Sequence, residues 1–188
     1  MTWSENVILA DATFLDKLTF EVTVYFERIL ERRVPKADLA TWLDCAALDG
    51  GLMAGDNKTQ AIFLHDAGVS DLKNFTPSSF HDEIDGKAFT DNLGEFMLSA
   101  ATSEGIADMG DFYVQSLELL ALASDVKRII LVPDMMAYGP KVLAALPKAE
   151  GKDITILVGN PQSARGFKEE KIAYSLMAAL GIRGDELP

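Results

Sequence analysis

Four short apolar runs alternate with longer amphipathic stretches, and this alternation limits the chain to folds in which helices cover a mostly parallel sheet. The runs are Val7-Ile8-Leu9-Ala10-Asp11, Gln60-Ala61-Ile62-Phe63-Leu64-His65-Asp66, Lys127-Arg128-Ile129-Ile130-Leu131-Val132 and Ile154-Thr155-Ile156-Leu157-Val158. Each is apolar at consecutive positions, the pattern of strands buried on both faces. The chain has 188 residues, enough for one α/β domain spanning 1–188 but cramped for two. Apolar residues make up 48% and charged residues 24%, which excludes a disordered or fibrous chain.

Between the runs, helical periodicity dominates. From Phe14 to Arg33, residues Phe14, Leu15, Leu18, Val22, Tyr25, Phe26, Ile29 and Leu30 fall on one broad face, with Thr13 expected as the cap. Phe20 and Val24 fall off that face and beside each other. Two readings stand for them: a helix buried on two sides within one chain, or a contact between two copies in a homodimer. Pro35 ends this helix, and Lys36 to Leu48 predicts a second one, stopped at Gly50-Gly51. The segment from Gly68 to Asn92 scatters Phe75, Phe80, Ile84 and Phe89 among turn formers and predicts no definite element. Leu93 to Ala101 reads either as a strand or as the start of a helix. Helices are expected over Ile106 to Ser124, Tyr138 to Leu146 and Phe167 to Leu180.

In sheets of this kind a ligand sits beyond the carboxyl ends of the strands, where the strand order reverses. Asp11, Asp66 and Asp134 fall at such ends, so their carboxylates are expected to approach one another. The predicted helix from Ile106 adds Asp108, Asp111, Gln115 and Glu118 along one face. This row has two readings: a solvated outer face, or an acid, Asp108 or Asp111, tipped over the sheet end towards Asp11 and Asp134. Several carboxylates at one point require a cation to offset their repulsion, which points to Mg²⁺ or Mn²⁺ and to metal-assisted chemistry on a phosphate.

Three segments carry a resemblance. Val7-Ile8-Leu9-Ala10-Asp11-Ala12-Thr13, then Ile106-Ala107-Asp108-Met109-Gly110-Asp111-Phe112, and then Ile129 through Pro133-Asp134-Met135-Met136-Ala137-Tyr138-Gly139-Pro140 follow in the order of the PIN-like nucleases of the NYN kind. Gly151 to Gly159 resembles the final strand of that family. The resemblance implies a three-layer Rossmann-like fold. It also implies catalytic roles for Asp11, Asp111 and Asp134, metal ligation by Asp11, Asp108, Asp111 and Asp134, and RNA as the substrate. The chain departs from the pattern where Met135 and Ala137 occupy positions that hold acids in the family. A degenerate ribonuclease or phosphodiesterase is therefore expected, with a catalytically inactive, self-associating scaffold domain as the alternative. A small-molecule enzyme of Rossmann type is a third reading, which no motif supports.

The charge balance bears on the substrate. With 29 acids against 17 bases the net charge is −12, which repels polyanions at long range, so RNA would need a local basic patch. Cys45 is the single cysteine and is expected to be a buried structural thiol. His65 and His81 lack zinc-ligand spacing. No basic leader precedes Val7 and no apolar stretch reaches the roughly 18 residues that span a bilayer, so the cytoplasm is the expected location.

Overall fold

The computed structural model describes residues 2–104, 107–161 and 167–188. The four apolar runs become strands β1 (Asn6–Asp11), β3 (Lys58–His65), β7 (Arg128–Val132) and β8 (Asp153–Val158). They form the middle of a seven-stranded sheet with β5 (Ala88–Asp91), β6 (Gly94–Thr102) and β9 (Lys168–Lys171), in the order β5-β6-β3-β1-β7-β8-β9. Every pairing is parallel except that of β5 with β6.

All six residues of β1 are buried, and their side chains divide between two cores. Ile8 and Ala10 pack with helices α1 (Ala12–Leu30), α2 (Leu39–Asp49) and α5 (Ile172–Ala179). Val7 and Leu9 pack with α3 (Met109–Leu122) and α4 (Met135–Ala145) on the opposite face. This division follows from the strand's two-residue side-chain period, and it makes the molecule a three-layer, Rossmann-like α/β fold. Among the described residues no helix is long and apolar enough to cross a membrane.

Several local expectations are corrected. Asp11, rather than Thr13, caps α1, its side chain accepting from the Phe14 N–H; Thr13 lies within the first turn and its Oγ1 accepts from the Asp66 N–H at 3.3 Å. The second helix begins at Leu39, because Ala37–Asp38 forms a short strand, β2, beside β4 (Phe75–Thr76), and Asp38 caps the helix through the Thr41 N–H. The segment 68–92 contributes Phe75, Phe80 and Ile84 to the core beneath α1 and α2, while Phe89 stacks on Phe96. Leu93 to Ala101 is mostly strand β6. The start of the expected third helix, Gly105 and Ile106, lies outside the described residues, and α3 begins at Met109.

The last helix is shorter than expected. Lys168–Lys171 pairs with β8 as an edge strand before α5 begins. Its sequence, Lys-Glu-Glu-Lys, has no apolar period because an edge strand need not be buried, and charge on an edge discourages pairing with other chains. On α1, Tyr25 is exposed instead of joining the packed face, and Phe20 is 55% exposed, so the chain does not bury this helix on two sides. Cys45 is half-buried rather than buried, and burial raises its thiol pKa and keeps it protonated.

At the far edge of the core, Asp44 on α2 meets Asp91 at the end of β5. Its Oδ1 is closed off from solvent with no hydrogen-bond donor. Burial, the hydrogen bond to Asp91, and the charges of Asp91 and Asp38 together push Asp44 up to about 7. The folded chain thus holds a proton here that the unfolded chain releases in the ordinary carboxylate range. The resulting stabilisation is complete below that range and is lost as pH rises through about 7. Urea denaturation at a series of pH values should show wild-type stability falling across this window, and Asp44→Asn should flatten the fall. An unchanged pH dependence in the variant would contradict the shared proton.

Candidate functional site

The strand order places the switch point at β1. The chain adds β3 and then β6 on one side, and β7, β8 and β9 on the other. A crevice of about 390 Å³ opens at the carboxyl ends of these central strands. Asp11 enters it from the end of β1, Asp66 from just beyond β3, Asp134 from beyond β7, and Asp108 from the start of α3. Lys17 and Lys141 line the same crevice, as do Thr13, Phe14, Met109 and Tyr138. The placement agrees with the rule for ligand sites in open α/β sheets.

Two tyrosine hydroxyls hold the splayed strand ends in place. Tyr113, fully buried, donates to the Leu9 carbonyl at 2.7 Å and accepts from the Val132 N–H at 3.1 Å, so it ties β1 to β7. Tyr138 repeats the arrangement one step further out. Its hydroxyl donates to Asp11 Oδ2 at 2.7 Å and accepts from the Asp134 N–H at 3.2 Å. The two rings lie 5.6 Å apart. Gly110 makes room for this packing, since a Cβ there would lie 3.0 Å from the Tyr138 Cβ.

Asp11 is 2% exposed. Its Oδ1 accepts from the Phe14 N–H at 3.0 Å, and its Oδ2 from Tyr138. Burial pushes its carboxyl above the usual range, and the neighbouring charges of Asp134 and Asp66 add to the rise; the Phe14 and Tyr138 hydrogen bonds oppose it. Tyr138 is raised in turn by burial and by Asp11, so its hydroxyl stays a donor. Asp134 Oδ1 caps α4 through the Ala137 N–H, and Asp108 Oδ1 caps α3 through the Asp111 N–H. Three helices therefore begin at the crevice, each capped by an aspartate just before its first turn.

Of the acids expected from sequence, Asp11, Asp108 and Asp134 come together in the crevice, and Asp66 joins them. Asp111 does not line it. Its Oδ1 accepts from Lys141 Nζ at 2.8 Å, and this pair raises the lysine pKa. The row continues along α3 as an outer face, with Glu118 paired to Lys148. Neither histidine lines the crevice: the His65 and Phe80 rings stack with centroids 4.1 Å apart, and His81 is exposed beside Asp82.

Among the described residues, no three His, Cys, Asp or Glu side chains are grouped so as to hold a metal ion. The donor set does not fit an all-protein cage. A hard cation held here would have only one or two carboxylates from the protein and would complete its shell with water and ligand. Asp134 and Asp108 each spend one oxygen, Oδ1, on a helix cap.

Sequence reasoning missed Lys17, Lys141 and Phe14 as parts of the site. Phe14 and Lys17 follow Asp11 by one and two helical turns, a spacing that was a usable signal. The Tyr138 hydroxyl was hidden because its partner is 127 residues away.

Replacing Tyr138 by Phe removes a donor from a buried carboxylate and leaves the Asp134 N–H without its acceptor. The expected cost is about 1–3 kcal/mol in urea denaturation. The Asp11 carboxyl should rise further, so the loss of stability with increasing pH should shift upward; an unchanged midpoint and pH profile would contradict the bridge.

No curated protein and no solved structure matches the chain. A family model does match, over residues 1–187, and the chain belongs to that family of unknown function, DUF6621.

Proposed function

We propose that this is a PIN/NYN-like domain acting as a metal-dependent ribonuclease or phosphodiesterase with a reduced acidic site. The observation that supports the reading is the meeting of Asp11, Asp66, Asp108 and Asp134, from four separate segments, in one crevice that also holds Lys17 and Lys141. Asp134 and Asp108 are the residues that would hold Mg²⁺ or Mn²⁺, with Asp11 setting the negative potential behind them. Such an ion lowers the pKa of water and offsets charge on a phosphoryl group. The chain's own part is to orient the ligand. Lys17 and Lys141 attract phosphate oxygens, and the Tyr138 bridge keeps Asp11 from rotating out of the crevice. Asp111 acts indirectly in this scheme, by restraining Lys141.

Because the protein supplies few ligands, cation affinity should be weak alone and should tighten when phosphate is present. Calorimetry with Mn²⁺ is expected to show binding in the millimolar range that Asp11→Asn weakens, and RNA cleavage that the same variant abolishes. Absence of any Mn²⁺ binding, with and without phosphate, would retire the reading.

A second reading rests on a different observation. Phe20 and Val24, four residues apart on α1, are 55% and 38% exposed. Large apolar side chains grouped on one helix face suit a contact with a second copy of the chain. In this reading the domain is a self-associating scaffold. Light scattering should then give a dimer for the wild type and a monomer for Phe20→Glu; a wild type that stays monomeric at high concentration would rule this out.

A further inference from the structure

We infer that the crevice takes one nucleotide unit at a time, free or at the end of a strand, with its base against the Phe14 ring and its phosphate drawn to Lys17 and Lys141, and gains nothing from the phosphates beyond it. The inference rests on the phosphate-site reading above and narrows its ligand.

Three observations carry it. First, Phe14 lines the crevice beside Asp11 and, among the described residues, packs into neither of the two hydrophobic cores. An aromatic ring left at the mouth of a phosphate site is a stacking surface for any base, since every base presents a π face. The backbone that carries it is anchored, because the Phe14 N–H is the donor to Asp11 Oδ1. Second, the crevice volume of about 390 Å³ lies in the range of small-molecule pockets, about 300–1,000 Å³. Third, the charges limit ligand length. The lining has two lysines against four aspartates, and the whole chain carries a net charge of −12. Extended strands are held by many phosphate contacts along a basic groove. Outside the crevice a second or third phosphate would meet the long-range repulsion of a chain with net charge −12.

The lysines and the ring come from different parts of the site and do separable work. Lys17 and Lys141 recognise phosphate whatever it is attached to. Phe14 recognises only a ligand that carries a base. This separation gives the test its two arms.

The full chain is titrated by calorimetry in the presence of Mn²⁺ with adenosine monophosphate, with inorganic phosphate, and with a single-stranded RNA of about twenty nucleotides, a length at which polyelectrolyte salt dependence is evident. Wild type should bind the mononucleotide more tightly than inorganic phosphate, and the long RNA no more tightly than the mononucleotide. Phe14→Leu keeps apolar bulk but removes the flat ring. It should weaken the mononucleotide by about tenfold and leave inorganic phosphate unchanged. Circular dichroism of the variant checks that it is folded; if it is not, Phe14→Tyr, which keeps a ring, should retain mononucleotide affinity. Equal loss for both small probes in Phe14→Leu overturns the stacking role. Long RNA binding more than about tenfold tighter than the mononucleotide, with a steep salt dependence, overturns the size limit. Mn²⁺ binding without mononucleotide binding removes this inference alone, whereas absence of Mn²⁺ binding removes the functional reading beneath it.

Discussion

A carboxylate buried at the end of the central strand governs the site. Asp11 is held between the Phe14 N–H and the Tyr138 hydroxyl, and those two bonds join β1 to the first turn of α1 and to α4. A charge so deeply placed would be costly without partners. The same bonds therefore stabilise the ionised form and set the geometry of the crevice. Tyr113, one layer below, ties Leu9 to Val132 and keeps the strands on either side of the switch point in register. The crevice is thus built into the core and does not depend on a surface loop.

The arrangement explains why the crevice is acidic although three helices begin at it. Each of the helices α1, α3 and α4 begins with an aspartate that caps its own backbone. These caps offset the positive ends of the helix dipoles, which would otherwise attract anions directly. An anionic ligand must then be drawn by Lys17 and Lys141 or by a cation that the carboxylates recruit. Among the described residues no ready-made metal cage exists.

Much of the architecture was legible in the order of residues. Consecutive apolar positions in 7–10, 129–132 and 156–158 read as buried strands in a layered sheet, and the acids after the first two, Asp11 and Asp134, marked the ligand edge. What escaped was polar or non-local. Lys168–Lys171 is a strand because β8 offers it an open edge, and nothing in Lys-Glu-Glu-Lys announces that. Helical spacing placed Asp108 and Asp111 on one face, yet only the cap position, Asp108, turns into the crevice; Asp111, one turn later, is drawn to Lys141. The exposure of Phe20 was open in the sequence and that of Tyr25 ran against it, since periodicity shows which residues share a face and not what covers it.

The most direct measurement is a crystal structure of the chain soaked with Mn²⁺ and adenosine monophosphate. The account predicts one cation in contact with Asp134 or Asp108 and with a phosphate oxygen, at roughly 2.0–2.6 Å, with Asp11 still bonded to Tyr138. An empty crevice, or a cation bound only elsewhere on the acidic surface, would contradict it.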